Sequence, residues 1–133
     1  MSRGIRNNNP GNIRWGCAWQ GLKKDGREQD KDFCVFVAPE YGIRAIAKII
    51  RNYSDIYKIN TVAGIIHRWA PPSENNTVSY IKHVSQELKV EPDETINVKD
   101  TNVMLKLVKA IIKHENGKQP YSDELILKGV KMA

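Results

Sequence analysis

The chain has 133 residues, of which 41% are hydrophobic, enough to bury one core without disulfides or metal ions. Its formal charge of +6 favours an anionic partner such as nucleic acid, a membrane surface or an anionic polymer. The chain has no run of about five or six like charges, no stretch of about eighteen apolar residues and no apolar N-terminal segment resembling a signal peptide. We therefore expect one domain over residues 1–133, made in the cytoplasm and carried by a virion or a pore if it acts elsewhere.

The N-terminal segment, residues 3–14, has the sequence Arg-Gly-Ile-Arg-Asn-Asn-Asn-Pro-Gly-Asn-Ile-Arg and the chemistry of a binding site. Its asparagine amides donate and accept hydrogen bonds without charge at any pH, and its proline and glycine favour an irregular backbone. Trp15 and Trp19 follow directly and offer flat rings for stacking. These features suit a sugar, although a flexible polar terminus would have the same composition.

Residues 13–36 are predicted to form a β-hairpin, because aromatic and β-branched residues flank a polar turn centred on Asp25 and Gly26. A two-residue turn at this position sets Cys17 opposite Cys34. A longer loop would shift the register and separate the two cysteines. We favour reduced thiols packed as small apolar groups over a disulfide.

Five helices are predicted after the hairpin from apolar residues at helical spacing, from capping residues and from glycine or proline stops. Their predicted ranges are Pro39 to Tyr57, Thr61 to Trp69, Thr77 to Leu88, Asp100 or Thr101 to Gly117, and Ser122 to Met132. The residues predicted to line the buried face of the third of these helices are Val78, Ile81, Val84 and Leu88. The sum is an α+β, mainly α domain of lysozyme-like size with one β-hairpin near its N-terminus.

The sequence Asn-Asn-Asn-Pro-Gly-Asn-Ile-Arg at residues 7–14 is followed by Trp and Gly in the predicted hairpin, by Trp-Ala-Pro-Pro at residues 69–72 and by Tyr80. This order resembles the second half of lysozyme-superfamily glycosidases, in particular the autolysin-type glucosaminidases. The opening segment is also similar to bacteriophage and prophage virion proteins with suspected peptidoglycan activity. The resemblance covers roughly residues 3–88, and only its N-terminal turn is specific.

The chain departs from this pattern at the catalytic position. The resemblance implies a glutamate at the end of a helix before the asparagine turn, yet only six residues precede Asn7. Either the protein is not catalytic or the glutamate comes from elsewhere. Glu115 qualifies, because it ends an apolar helix just before Asn116 and Gly117, much as in lytic transglycosylases. The implied domain is a circularly permuted one, which is physically reasonable because chain termini commonly lie close together.

Cleavage of a glycosidic bond requires a carboxylic acid that holds its proton near neutral pH, and burial beside apolar groups provides one. Glu115 is the candidate general acid, since a merely solvated glutamate would oppose the helix dipole there. Asp32, on the predicted hairpin, is the candidate second carboxylate. The alternatives, all more typical of surface charges, are Glu28, Asp30 and Glu40. A transglycosylase, in which a substrate hydroxyl attacks, would need only one acid.

Substrate binding is assigned to amides, rings and arginines around the N-terminal segment. The amides expected to bond N-acetyl and hydroxyl groups are Asn7, Asn8, Asn9 and Asn12. The rings that would stack on sugars are Trp15, Trp19, Trp69 and Tyr80. For the last two, core packing is the stronger alternative. Arg6, together with Arg3 and Arg14, would meet carboxylates of peptidoglycan or, equally, phosphate.

Three classes of function remain open. The first, which we favour, is a phage-type peptidoglycan hydrolase that needs no cofactor, with glycan strands and other virion proteins as partners. The second is a non-catalytic structural or glycan-binding protein of the same fold. The third is a basic nucleic-acid-binding domain, disfavoured because no recognised motif or concentrated basic helix supports it. No metal site is expected, since the three histidines show no ligand spacing to each other or to the cysteines.

Overall fold

The computed structural model describes all residues from Met1 to Ala133 and contains seven helices. In chain order they are α1 (Arg3–Arg6), α2 (Gly26–Gln29), α3 (Pro39–Tyr57), α4 (Val62–Trp69), α5 (Thr77–Leu88), α6 (Thr101–Asn116) and α7 (Asp123–Met132). Extended pairing is confined to three isolated antiparallel bridges, Arg14 with Phe33, Leu22 with Phe36 and Thr61 with Thr95. The prediction of a mainly helical protein is confirmed. Each of these helices is too short or too polar to cross a bilayer.

Helix α3 is the longest helix and contributes much of the core. Pro39 occupies its first turn, where a missing N–H leaves no bond unmade. Lys58 ends it in the left-handed conformation with φ 58°. Ile43, Ile46 and Ile50 recur at helical spacing, and all three are fully buried. Helix α3 packs chiefly against α7, and both of its predicted ends are confirmed.

The N-terminal caps of α4 and α5 follow local side-chain chemistry. Thr61 accepts a hydrogen bond from the backbone N–H three residues on, and α4 begins as predicted. Asn76 caps α5 by accepting from the Ser79 N–H at 3.1 Å. Thr77, the predicted cap, instead donates from Oγ1 to the Ala70 carbonyl at 2.6 Å. The prediction at α5 is therefore wrong by one residue, because Thr77 finds a buried acceptor outside its own helix.

The buried face of α5 also differs from its prediction. Val78, expected in the core, is 79% exposed. Tyr80 is only 1% exposed and shares the buried face with Val84 and Leu88. A tyrosine ring buries far more apolar surface than a valine side chain. Packing therefore favours the helix orientation that places Tyr80 inside.

The predicted ends of α6 and α7 are confirmed. Asp100 caps α6 by accepting from two backbone N–H groups of the first turn, and Gly117 ends it at φ 76°. Ser122 caps α7 by accepting from the Leu125 N–H. Helix α6 packs against α5 and α7, and its side chains enter one continuous core.

The predicted β-hairpin centred on Asp25 is wrong. Residues Gly26–Gln29 form α2, which lengthens the connection beyond a two-residue turn. The Cys34 N–H donates to the Ile13 carbonyl at 2.9 Å, so Cys34 is not paired with Cys17. Both cysteines are free, with Cys17 exposed and Cys34 buried. Burial raises the pKa of the Cys34 thiol to about 11.

Asp30 holds the N-terminal segment together in place of the hairpin. Its carboxylate accepts from Nε and Nη2 of Arg3 at 2.7 and 2.6 Å and from Asn7 Nδ2 at 2.8 Å. It also accepts from the backbone N–H groups of Asp32 and Phe33 at 3.0 Å. The bonds from Arg3 are the main reason that the pKa of Asp30 lies far below its usual range. The Asp30 carboxylate therefore stabilises the fold.

Candidate active-site cleft

A cleft of about 350 Å³ lies between the N-terminal segment, α3, the α4–α5 connection and the end of α6. Its lining residues are Gly11, Asn12, Ile13, Arg14, Phe33, Ile49, Tyr53, Trp69, Ala70, Pro71, Glu74, Asn75 and Glu115. They combine three aromatic rings with two amides, one cation and two carboxylates. Apolar walls with a few convergent polar groups are typical of a ligand site.

Glu115 lies at the C-terminal end of the buried stripe of α6. Met104, Val108 and Ile111 precede it at helical spacing, and all three are fully buried. The helical repeat therefore turns Glu115 to the same side of α6. The side chain reaches the cleft because α6 ends immediately beyond it, at Gly117.

The Glu115 carboxylate is held by two donors from distant parts of the chain. Asn12 Nδ2 donates to Oε1 at 3.0 Å, and the Tyr80 hydroxyl donates to Oε2 at 2.8 Å. Each oxygen therefore accepts one hydrogen bond from the protein and keeps a further lone pair. The N-terminal segment, α5 and α6 each supply one member, so only the folded protein contains this arrangement.

The end of α6 is fastened to the N-terminal segment beside this carboxylate. Asn116 Nδ2 donates to the Pro10 carbonyl at 2.8 Å, and its Oδ1 accepts from the Ser2 hydroxyl at 2.7 Å. Asn12 has φ 50°, a left-handed conformation that asparagine adopts more readily than most residues. These contacts fix where the Asn12 amide lies relative to Glu115.

Tyr80 connects the cleft to a pair of histidines. Burial, and then the negative charge of Glu115, raise the pKa of the Tyr80 phenol well above its usual range, so the hydroxyl remains a donor. His114 stacks on the Tyr80 ring with the centroids 3.7 Å apart. His114 Nδ1 lies 3.0 Å from His83 Nδ1, so in the neutral pair one ring donates and the other accepts. Burial and then His83 lower the pKa of His114.

Three of the four predicted asparagines donate to residues of the N-terminal region, between Ile13 and Phe36, and not to Glu115. Asn9 is fully buried, and its Nδ2 donates to the carbonyls of Ile13 and Cys34. Asn7 donates to a carboxylate of the same region, and Asn8 donates to a backbone carbonyl. Only the fourth asparagine of the prediction lines the cleft. The other three shape the loop that presents it.

The structure separates Asp32 and Arg6 from the cleft. The Asp32 side chain is 59% exposed and accepts from Arg3 at 3.1 Å, and it does not line the cleft. Arg6 is exposed and forms no ion pair. Glu28 is exposed, and Glu40 pairs with a lysine of α7 at 3.3 Å. The hairpin on which Asp32 was expected to lie does not form.

Of the four predicted stacking rings, only Trp69 lines the cleft. Trp15 donates to a backbone carbonyl and lies under Arg27 in a separate cavity. Trp19 packs against the small cluster of buried side chains near the N-terminus. Tyr80 is buried and reaches Glu115 through its hydroxyl group alone.

The structure also brings residues to the cleft that the sequence analysis did not select. These are Phe33, Tyr53, Glu74 and Asn75. Glu74 and Asn75 follow the proline stop of α4, where polar residues in a connecting loop are a signal for a site. Phe33 and Tyr53 carry no such signal. No group of three or more His, Cys, Asp or Glu residues is arranged to hold a metal ion.

The protein is mainly helical, and its core helix α6 carries a glutamate one residue before its end, beside an aromatic-lined cleft. No family model matches the chain. It is 37% identical over 132 residues to Protein P5 of Pseudoalteromonas phage PM2, with 96% of this chain and 79% of that protein covered. The chain belongs to the same family as this phage protein. The expected relationship to bacteriophage proteins is confirmed.

Proposed function

We propose that the protein is an enzyme of phage type that cleaves the glycan strands of peptidoglycan, with Glu115 as its general acid. The observation that carries this proposal is the Glu115 carboxylate at the aromatic-lined cleft, held by Asn12 and Tyr80. Sugar rings offer apolar faces on which Trp69 can stack. Their hydroxyl and N-acetyl groups match the amides of Asn12 and Asn75.

Asn12 and Tyr80 hold the Glu115 carboxyl group in position for proton transfer to a substrate. In the complex, the Glu115 proton passes to the glycosidic oxygen as the bond from that oxygen to the anomeric carbon breaks. Glu115 is then a carboxylate, and the hydrogen bonds from Asn12 and Tyr80 strengthen because their acceptor has gained charge. A water molecule, or a hydroxyl group of the substrate in a transglycosylase, supplies the electron pair that the anomeric carbon has lost.

Glu74 is the second carboxylate in this proposal and replaces Asp32. It lines the same cleft as Glu115 and forms no ion pair with the protein. An unpaired carboxylate on the cleft wall is suited to accept a proton from an attacking water. If a substrate hydroxyl attacks instead, its proton passes to the Glu115 carboxylate formed in the first step, so Glu74 is not required and its removal distinguishes the two reactions.

The relationship to a phage protein and the order of the site residues along the chain also support this proposal. A phage must breach the host cell wall to enter or leave the cell, and a virion or a pore would deliver this protein to peptidoglycan. Helix α6 provides the helix-end glutamate and the chain start provides the asparagine turn, as in a permuted lysozyme-like domain. The hydrogen bond from Asn116 to Pro10 links these two parts.

Zymography on purified peptidoglycan tests the proposal with the wild type, Glu115→Gln and Glu124→Gln. Glu124 is an exposed residue of the first turn of α7 and serves as the matched control. We expect clearing by the wild type and by Glu124→Gln, and at least about a hundredfold loss in Glu115→Gln, the contribution typical of a general acid. Absence of clearing by the folded wild type would contradict enzymatic activity.

A non-catalytic glycan-binding protein is the second candidate. It is favoured by the fact that both oxygens of Glu115 already accept hydrogen bonds from the protein, as in a purely structural contact. Such a protein would sediment with peptidoglycan without clearing it. Glu115→Gln would then bind as the wild type does.

A further inference from the structure

Arg14 is the only cation that lines the cleft, and it has no anionic partner in the protein. Its guanidinium lies against the Phe33 ring, with Cζ 4.7 Å from the centroid. A cation–π contact orients the planar group without consuming its five N–H donors. The Arg14 guanidinium is therefore held in one orientation at the cleft wall, with its N–H donors unpaired.

Arg3 provides an internal comparison for Arg14. Its Cζ lies 4.6 Å from the centroid of the same Phe33 ring, but its donors are taken by Asp30 and Asp32. The chain thus supplies two carboxylates to one arginine of this pair and none to the other. The unpaired arginine is the one that lines the cleft. A carboxylate from outside the protein would complete its hydrogen bonding.

From this contrast we infer that Arg14 is a specificity-determining residue that binds a carboxylate carried by the glycan. The inference rests on the proposed function and narrows its substrate class to strands with anionic substituents, such as the lactyl and peptide groups of peptidoglycan. Paired guanidinium–carboxylate hydrogen bonds are strong and directional. A neutral strand would stack on Trp69 and leave Arg14 without a partner.

The acidic residues of the cleft indicate where a substrate carboxylate would lie. Glu74 repels a second negative charge, and neither Glu74 nor Glu115 forms an ion pair with Arg14. The part of the cleft that favours an anion is therefore the part beside Arg14 and Phe33. The substrate carboxylate would lie there, with its glycosidic oxygen toward Glu115.

Binding of two soluble glycans of equal length tests the inference. One is a peptidoglycan strand with its carboxylates, and the other is a chitin oligosaccharide, which has none. The variants are Arg14→Gln, Arg14→Lys and Arg27→Gln. Arg27 is the matched control, because its Cζ also lies 4.7 Å from a ring centroid, that of Trp15, in a separate cavity.

Titration calorimetry should show that Arg14→Gln weakens binding of the peptidoglycan strand about tenfold and leaves chitin binding within about twofold. The affinity of Arg14→Lys for the peptidoglycan strand should lie between those of the wild type and Arg14→Gln, because lysine keeps the charge but loses the paired geometry. Arg27→Gln should change neither affinity. Thermal unfolding checks that each variant folds, and Arg14→Lys still decides the question if Arg14→Gln is unstable.

The role of Arg14 would be overturned if Arg14→Gln weakened the binding of both glycans equally or of neither. A wild type that binds neither glycan would also overturn it. Selective binding through Arg14 without any cleavage would refute the catalytic proposal alone. Cleavage of both glycans with equal efficiency by the wild type and by Arg14→Gln would refute the specificity alone. The two proposals therefore fail in different ways.

Discussion

Asn12 Nδ2 and Glu115 Oε1 lie 3.0 Å apart, although 103 residues separate them along the chain. Two further bonds reinforce this approach, from Ser2 to Asn116 and from Asn116 to Pro10. The start of the chain and the end of α6 therefore form one wall of the cleft. The chemistry proposed for Glu115 depends on this contact.

Asn12 serves both the backbone and the site, and two substitutions separate these roles. Asn12→Gly removes the amide but tolerates φ 50°, whereas Asn12→Ala removes the amide and strains the backbone. We expect both to slow glycan cleavage alike. The free energy of unfolding, measured by urea denaturation, should be about 1 kcal/mol lower for Asn12→Ala than for Asn12→Gly. Lys58→Gly, at φ 58° at the end of α3 and outside the cleft, is the control and should retain activity.

Tyr80→Phe removes one hydroxyl group and leaves the ring stacked on His114. The Oε2 atom of Glu115 then loses its donor, so we expect a loss of about 1–2 kcal/mol in unfolding free energy. Cleavage should fall about tenfold, since a hydrogen bond to the charged carboxylate contributes roughly 1.5 kcal/mol or more. Denaturation and initial rates measure the two effects. Unchanged cleavage together with lowered stability would show that the hydroxyl group is structural only.

Asp30→Asn should destabilise the fold by about 2 kcal/mol, because the buried side chain loses its charged hydrogen bonds from Arg3. Asp32→Asn is the matched control. It removes a carboxylate that is 59% exposed from the same arginine and should cost less than about 1 kcal/mol. Urea denaturation at neutral pH compares the two. Similar losses in both variants would mean that burial of Asp30 adds nothing.

The lowered pKa of Asp30 also predicts how the stability of the fold responds to acid. Its pKa is lower in the folded protein than the ordinary value of 3.8, so the unfolded chain binds the proton more readily. The stabilisation is present above pH 3.8 and is lost as pH falls below it. Unfolding free energy measured between pH 5 and pH 3 should therefore decline less steeply in Asp30→Asn than in the wild type. Parallel curves would contradict this assignment.

His114 predicts a second loss of stability at milder pH. Burial and His83 lower its pKa in the folded protein from 6.5, so the unfolded chain is protonated first as pH falls. Unfolding free energy should decrease as pH drops below 6.5, and His114→Gln should flatten that decrease. His67→Gln, at an exposed position of α4, should follow the wild-type curve. Denaturation between pH 7.5 and pH 5.5 gives the comparison, and an unchanged slope in His114→Gln would refute the prediction.

Gly42→Ala tests a contact that helix propensity does not reveal. In an exposed helix interior this substitution stabilises by about 1 kcal/mol. At Gly42, an added Cβ would overlap the Asn8 carbonyl oxygen and also press on Pro10. We expect a loss of at least about 2 kcal/mol, because backbone and proline atoms yield less than a flexible side chain. An unchanged or raised midpoint in thermal unfolding would contradict the close approach of α3 and the N-terminal segment.

Helices α3 to α7 were predictable because their signals are local. The cap of α4 by Thr61 and the glycine end of α6 each involve residues within one turn of helix. The position of Glu115 on the buried stripe follows from the same repeat. The hairpin prediction was wrong because the segment after Asp25 forms α2. A helix of four residues is too short to show a periodic pattern of apolar residues.

The sequence by itself determined the mainly helical architecture, the ends of α3, α4, α6 and α7, and the approach of Glu115 to the core side of α6, since these depend on neighbours within a few residues. Only the tertiary structure decided that Asn12 would donate to Glu115, whereas Asn7, Asn8 and Asn9 donate to residues of the N-terminal region. Four similar amides in one segment carry no local difference. Their roles are set by which distant donor or acceptor packing brings within hydrogen-bond range.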